Sequence, residues 1–248
     1  MYKKLLIFLI LIAGLSFSQN TINSVYIDPG HGGKDPGTIG DKSGIHEKNI
    51  VLPIAMKLGN LLQNKIPSLK IYYSRTADEF IGVKERTVQA NQLQADLFIS
   101  IHANHKKLDE SDKRGFEIYL LNKERTNEAI NITINENLKF NFPQFKADTV
   151  SQFIFASLIQ NGYTKLSHYF ASIIEIKMLD STQLESRGII QAGNWVNVGA
   201  SMPSVLVEIG YLSDQTDEIY LSSEIGQSDV ALSLFNAFIK YKYLLESL

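Results

Sequence analysis

Ser24-Val-Tyr-Ile-Asp28, followed at once by Pro29-Gly-His-Gly-Gly33, decides how the rest of the chain is read. The first five residues predict a short strand. The proline and glycines that follow cannot continue it and predict a tight turn around His31. Working outward, Ile50, Ile54, Leu58 and Leu61 recur at helical spacing between Glu47 and Leu62. Leu69 to Ser74 is a second strand, Val83 to Leu93 a helix, and Asp96 to Ile101 a third strand. A β–loop–α–β–α–β order predicts an α/β fold, a single domain with a mainly parallel, twisted sheet flanked by helices.

Phe116 to Leu121 continues the strand pattern. Residues 122–186 then change character, becoming rich in Asn, Lys and Glu with helical patterns over Asn127–Leu138 and Thr149–Met178. This stretch is expected to be a helical insertion, packed through residues such as Leu166, Phe170 and Ile174. The core resumes at Gly188. Ser204 to Ile209 has the apolar density of a central strand, and a helix over Asp229–Leu245 closes the domain.

The chain has 248 residues, 44% of them hydrophobic, which is enough for one substantial core. At its start, Lys3 and Lys4 precede an apolar run from Leu5 to Leu15 and then Ser16, Ser18 and Gln19. The pattern predicts a signal peptide over residues 1–19 and a mature domain over 20–248, in the periplasm or secreted. The run falls short of the roughly 20 apolar residues of a membrane-spanning helix, so no permanent membrane span is expected. There is no Cys, so packing or a metal, not disulfides, must hold the fold. A net charge of -2 argues against a nucleic-acid partner, which needs a basic field to bind phosphates.

Ligands of parallel α/β sheets gather beyond the carboxyl ends of the strands. Four residues fall there: His31, Glu47, His102 and Glu208. Two imidazoles with one carboxylate form a ligand set suited to catalytic zinc, leaving a position open for water or a substrate carbonyl. Each residue also has a plainer explanation. His31 would serve as a turn residue, His102 as a surface histidine, and Glu47 as an acidic group at a helix N-terminus. Glu208 stands apart, because a carboxylate ending the Val205-Leu-Val207 run is costly unless compensated. His46, His105 and His168 are competing histidines. The glycines around His31 lack the GxxxxGK[S/T] pattern of a phosphate-binding loop.

A family resemblance bears on these alternatives. Ile27-Asp-Pro-Gly-His-Gly-Gly33 with Asp35-Pro-Gly37, His46-Glu-Lys-Asn49, Ser74-Arg-Thr-Ala-Asp78, Glu85-Arg86 and Ala90-Asn91 resemble, in order, the zinc-dependent N-acetylmuramoyl-L-alanine amidases of the amidase-3 type. So do Ala95 to Asn104, Arg114 to Tyr119 and Met202 to Ser213. The resemblance implies one Zn2+ held by His31, Glu47 and His102, with Glu208 as the catalytic carboxylate. It implies a peptidoglycan substrate and roles in cell-wall remodelling and daughter-cell separation. Asp28, Asn104 and Arg75 would contact substrate or brace the ligands.

The segment 122–186 resembles an insertion of the periplasmic branch, in which a helix blocks the zinc cleft until an activator protein displaces it. On that likeness Glu136 would make an autoinhibitory metal contact, with Glu128 as a nearby competitor. Two other classes remain open: a peptidoglycan-binding module without turnover, and a zinc peptidase acting within the stem peptide.

Overall fold

The computed structural model describes residues 21–106, 113–121, 149–192 and 199–247. Six strands, β1 (Ser24–Pro29), β2 (Lys70–Tyr73), β3 (Phe98–Asn104), β4 (Phe116–Leu121), β5 (Ser186–Ala192) and β6 (Ser204–Tyr211), form one sheet in the order β2-β1-β3-β6-β4-β5. β1, β2, β3 and β6 run parallel, while β4 pairs antiparallel with β6 and parallel with β5. The sheet is thus mainly parallel, with a reversed pair at one edge. Five helices accompany it among the described residues: α1 (Glu47–Lys65), α2 (Val83–Gln92), α3 (Thr149–Ser181), α4 (Gln215–Ser222) and α5 (Glu224–Glu246).

Strand alternation divides the core unequally. Val25, Ile27, Ile99, Ile101, Val205 and Val207 point to one face, where Ile50, Ile54 and Leu58 of α1, Phe170, Ile174 and Met178 of α3, and Val230, Leu234 and Phe238 of α5 cover them. Tyr26, Phe98 and Leu206 point to the other face and pack in a smaller cluster with Ala90 of α2 and Met202. A period of two then puts Asp28, Ser100, His102 and Glu208 on this thinner face. Among the described residues, His102 and Glu208 therefore lie on the less covered face of the sheet.

Two differences from the sequence reading are local. β5 is a strand that begins two residues before Gly188. α4 is a short extra helix, capped by Asp214, whose side chain accepts from the backbone N–H groups of Thr216 and Asp217. The described part of segment 122–186 packs as expected, with Phe170 and Ile174 of α3 fully buried in the principal core. The expected helix over 127–138, Glu128, Glu136 and the leader 1–19 lie outside the described residues. Among the described residues, no helix is long and apolar enough to cross a membrane.

Candidate metal centre

β1 is flanked by β2 on one side and β3 on the other, so the chain segments leaving β1 and β3 diverge and open a crevice at their carboxyl ends. His31 emerges there from β1 with a positive φ of 57°, an uncommon conformation for a non-glycine residue that signals a tightly held turn. Two buried arginines hold it. Arg75 donates from Nε to the carbonyl of Pro29 (3.0 Å) and from Nη2 to that of Gly30 (2.8 Å). Arg86 donates to the carbonyls of Pro29 (2.9 Å) and His31 (2.8 Å) and from Nη1 to Asp28 Oδ1 (2.6 Å). Asp28, fully buried, also accepts from Ser100 Oγ at 2.7 Å. Of the three auxiliary residues expected to touch substrate or brace ligands, Arg75 and Asp28 thus sit beneath the loop. Asn104 ends β3 and donates to Glu117 Oε2 at 3.1 Å.

His31, Glu47 and His102 converge. His31 Nε2 lies 3.0 Å from Glu47 Oε2, His102 Nδ1 3.0 Å from Glu47 Oε1, and the two ring nitrogens face each other at 3.2 Å. A tetrahedral cation with the bond lengths typical of zinc separates its ligand atoms by about 3.3 Å. The donor set and its spacing therefore fit a zinc ion. Neighbouring groups fix each ligand. His31 Nδ1 pairs with Asp35 Oδ2 at 2.9 Å, the carboxylate–imidazole support common at metal sites. The carboxylate of Glu47 accepts from the backbone N–H groups of Thr38 (2.8 Å) and Ala103 (2.9 Å). Gly30 and Gly37 leave room for the rings: a Cβ on Gly30 would lie 2.3 Å from His102 Cε1, and one on Gly37 2.5 Å from Glu47 Oε2.

The charge balance follows from burial and proximity. Burial opposes ionisation of Glu47, yet hydrogen bonds from His102 and His31 outweigh it and hold the carboxyl well below its usual range. Burial likewise opposes charge on His102, but Glu47 pushes the ring up to about 9. Glu208 is the Cα partner of His102 across β3 and β6. Its Oε2 is buried and has no hydrogen-bond partner. Burial pushes Glu208 up to about 7, with His102 pulling down and Glu47 and Glu117 pushing up. Such a carboxyl exchanges protons near neutrality.

The competing histidines stand apart from this group. His46 precedes α1, His105 is exposed with Nε2 3.3 Å from Asp41 Oδ1, and His168 is exposed on α3. Two residues were missed by the sequence reading. Asp35 lay inside a quoted motif, and its spacing four residues after His31 was the available signal. Glu117 alternates with apolar neighbours in β4 and so resembles a solvent-facing residue, yet it is buried.

An α/β sheet carrying a His–Glu–His group that could hold a metal ion, beside a carboxylate with one buried, unpartnered oxygen, has the groups a hydrolase needs. The chain belongs to the Amidase_3 family, N-acetylmuramoyl-L-alanine amidase, whose match covers residues 25–240. Among its relatives, AmiA of Salmonella typhimurium, an N-acetylmuramoyl-L-alanine amidase, is 32% identical over 88% of this chain and 75% of the relative. A probable amidase of the same kind, AmiB of Haemophilus influenzae, is 30% identical over 96% of this chain, which spans 57% of that relative's length. The solved structure of the amidase AmiC2 of Nostoc punctiforme superposes with a TM-score of 0.66 at 27% identity, covering 88% of this chain and 96% of that one.

Proposed function

We propose that this protein hydrolyses the amide joining the lactyl carbonyl of N-acetylmuramic acid to the L-alanine of the peptidoglycan stem. His31, Glu47 and His102 would hold one zinc ion, and Glu208 would move the protons. The cation, when bound, supplies Lewis-acid activation of the scissile carbonyl and of the attacking water. Glu208 takes a proton from that water as general base and returns it to the departing amine, which leaves poorly as an anion. Asp28, Arg75 and Arg86 act beneath the surface, fixing the loop that carries His31. The observation that carries this reading is the bare, buried Oε2 of Glu208 on the strand next to His102.

The test is product analysis on purified sacculi. Wild-type enzyme should release intact stems with free L-alanine amino termini and leave the glycan whole. Glu208→Gln should lower turnover by about 10²–10⁴-fold, the usual contribution of a positioned acid–base group, while zinc stays near one per chain. Shortened stems would instead identify a peptidase, and binding without any product a non-hydrolytic module. Export to the periplasm, a part in daughter-cell separation and control by an activator acting on the insertion 122–186 belong to the same proposal. They are supported by the signal-like leader and by the family resemblance.

A further inference from the structure

Beyond the metal group, the thinner face of the sheet carries a line of charged residues across four strands. His102 on β3 is the Cα partner of Glu208 on β6, and Glu208 is the Cα partner of Glu117 on β4. Paired residues project to the same face, so the three side chains stand in a row. On β5 the register passes from Phe116–Ser186 to Ile118–Ile189, so Arg187 and Gly188 together oppose Glu117. This is a β-bulge, and Gly188 adopts the positive φ of 95° that a bulge favours. The bulge brings Arg187 into the row, with Nε 3.7 Å from Glu117 Oε1.

Glu117 does not need this arginine to be satisfied. Its carboxylate already accepts from the hydroxyls of Tyr119 (2.6 Å) and Tyr211 (2.8 Å) and from Asn104 Nδ2 (3.1 Å). At 3.7 Å, with a side chain 34% accessible against 3% for Glu117, the guanidinium is held in place electrostatically and, among the described residues, keeps donors for a ligand. Glu117 and its three donors make a rigid support, and Arg187 presents a forked cation beside the cleft. Planar, bidentate recognition is what arginine offers a carboxylate.

We propose that Arg187 is the subsite for the free carboxylate on the second residue of the stem peptide, placed there by the bulge and by Glu117. The proposal rests on the amidase reading above. When that second residue is an isoglutamate, linked onward through its side chain, its α-carboxylate stays free two residues beyond the scissile carbonyl. Two extended residues span about 7 Å, and a carboxylate–guanidinium contact adds about 3 Å. Two strand spacings take the row from His102 to Glu117, about 10 Å, and Arg187 reaches back from the third to within 3.7 Å of the Glu117 carboxylate. The row and the substrate are therefore of comparable length.

Paired muropeptides identical except at the second residue, one with D-isoglutamate and one with its amide, D-isoglutamine, test this assignment. Wild-type enzyme should favour the acid in kcat/KM by tenfold or more, chiefly through KM. In Arg187→Gln the acid-to-amide ratio should fall to within twofold of one, and Arg187→Lys should keep an intermediate preference. Zinc per chain and the melting midpoint report that both variants are folded and loaded. A wild-type enzyme indifferent to the amide, or an Arg187→Gln variant that loses activity equally on both substrates, overturns the subsite. Failure of the wild type to free L-alanine from either substrate would sink the amidase reading, and the subsite with it.

Discussion

Replacing Arg86 by Met should unfold the region around the metal loop at a cost that can be worked from its contacts. The guanidinium is buried and makes five hydrogen bonds, one to Asp28 and four to the carbonyls of Pro29, His31 and Ile81. Methionine fills much of the same space but donates nothing. Asp28, with no exposed surface, would keep only Ser100 as a close partner. Breaking one side of a buried ion pair costs about 3–5 kcal/mol. For a domain of this size, roughly 2–4 °C per kcal/mol converts that loss into a melting midpoint lower by about 6–20 °C. Urea titration in the presence of a chelator isolates the effect from metal binding. The double variant Asp28→Asn/Arg86→Met should recover part of the loss, because the unpaired charge is gone. A single variant within about 1 kcal/mol of wild type, or a double variant as unstable as the two singles summed, would refute the reasoning.

Gly37→Ala should weaken zinc binding by about 10–100-fold in chelator competition, the usual effect of disturbing groups that orient ligands, because its Cβ would press on both Glu47 and His31; unchanged affinity would mean the loop has slack. Phe170→Ala should cost about 3–5 kcal/mol in urea denaturation, since the ring is fully buried; a loss below about 1 kcal/mol would show that α3 is dispensable to the core. Acid should destabilise the fold through Asp28. Burial tends to raise its pKa, but Arg86, together with His102, Ser74 and Ser100, outweighs burial and holds the carboxyl below its ordinary value. The resulting stabilisation is complete above the unfolded value of about 3.9 and fades as pH falls through the folded one. The urea midpoint of the wild type should drop more steeply below about pH 4 than that of Asp28→Asn, and parallel curves would remove Asp28 as a cause.

Much of this was legible in the sequence because local chemistry and tertiary role coincide. The run Ser24–Asp28 had to be a strand, the glycines after it a turn, and Ile50, Ile54 and Leu58 one helix face; all three hold in the fold. The convergence of His31, Glu47 and His102 could be anticipated because each lies at or near a strand end or a helix start. What stayed hidden depends on register. A strand pattern gives no sign that β4 runs against β6, and so none that Glu117 stands beside Glu208. Arg187 is equally silent in the sequence, because only the extra residue opposite Glu117 turns it toward the cleft. The apolar spacing of Leu166, Phe170 and Ile174 marked the later half of residues 122–186 as packed, and α3 supplies those contacts to the core.

The reversal of β4 also fixes which pole of the sheet the chain leaves after Leu121. Glu117 stands level with Glu208, whereas Tyr119 is already level with Leu206, so the chain departs past Leu121 from the pole of the sheet remote from the ligands. It re-enters through α3, whose 33 residues rise about 50 Å before β5 begins beside Phe116. Leu121 itself stands the full height of β4, about 20 Å, from the level of the crevice. A partner touching the end of β4 at that pole would leave the cleft free, so it and a substrate need not compete for the same ground.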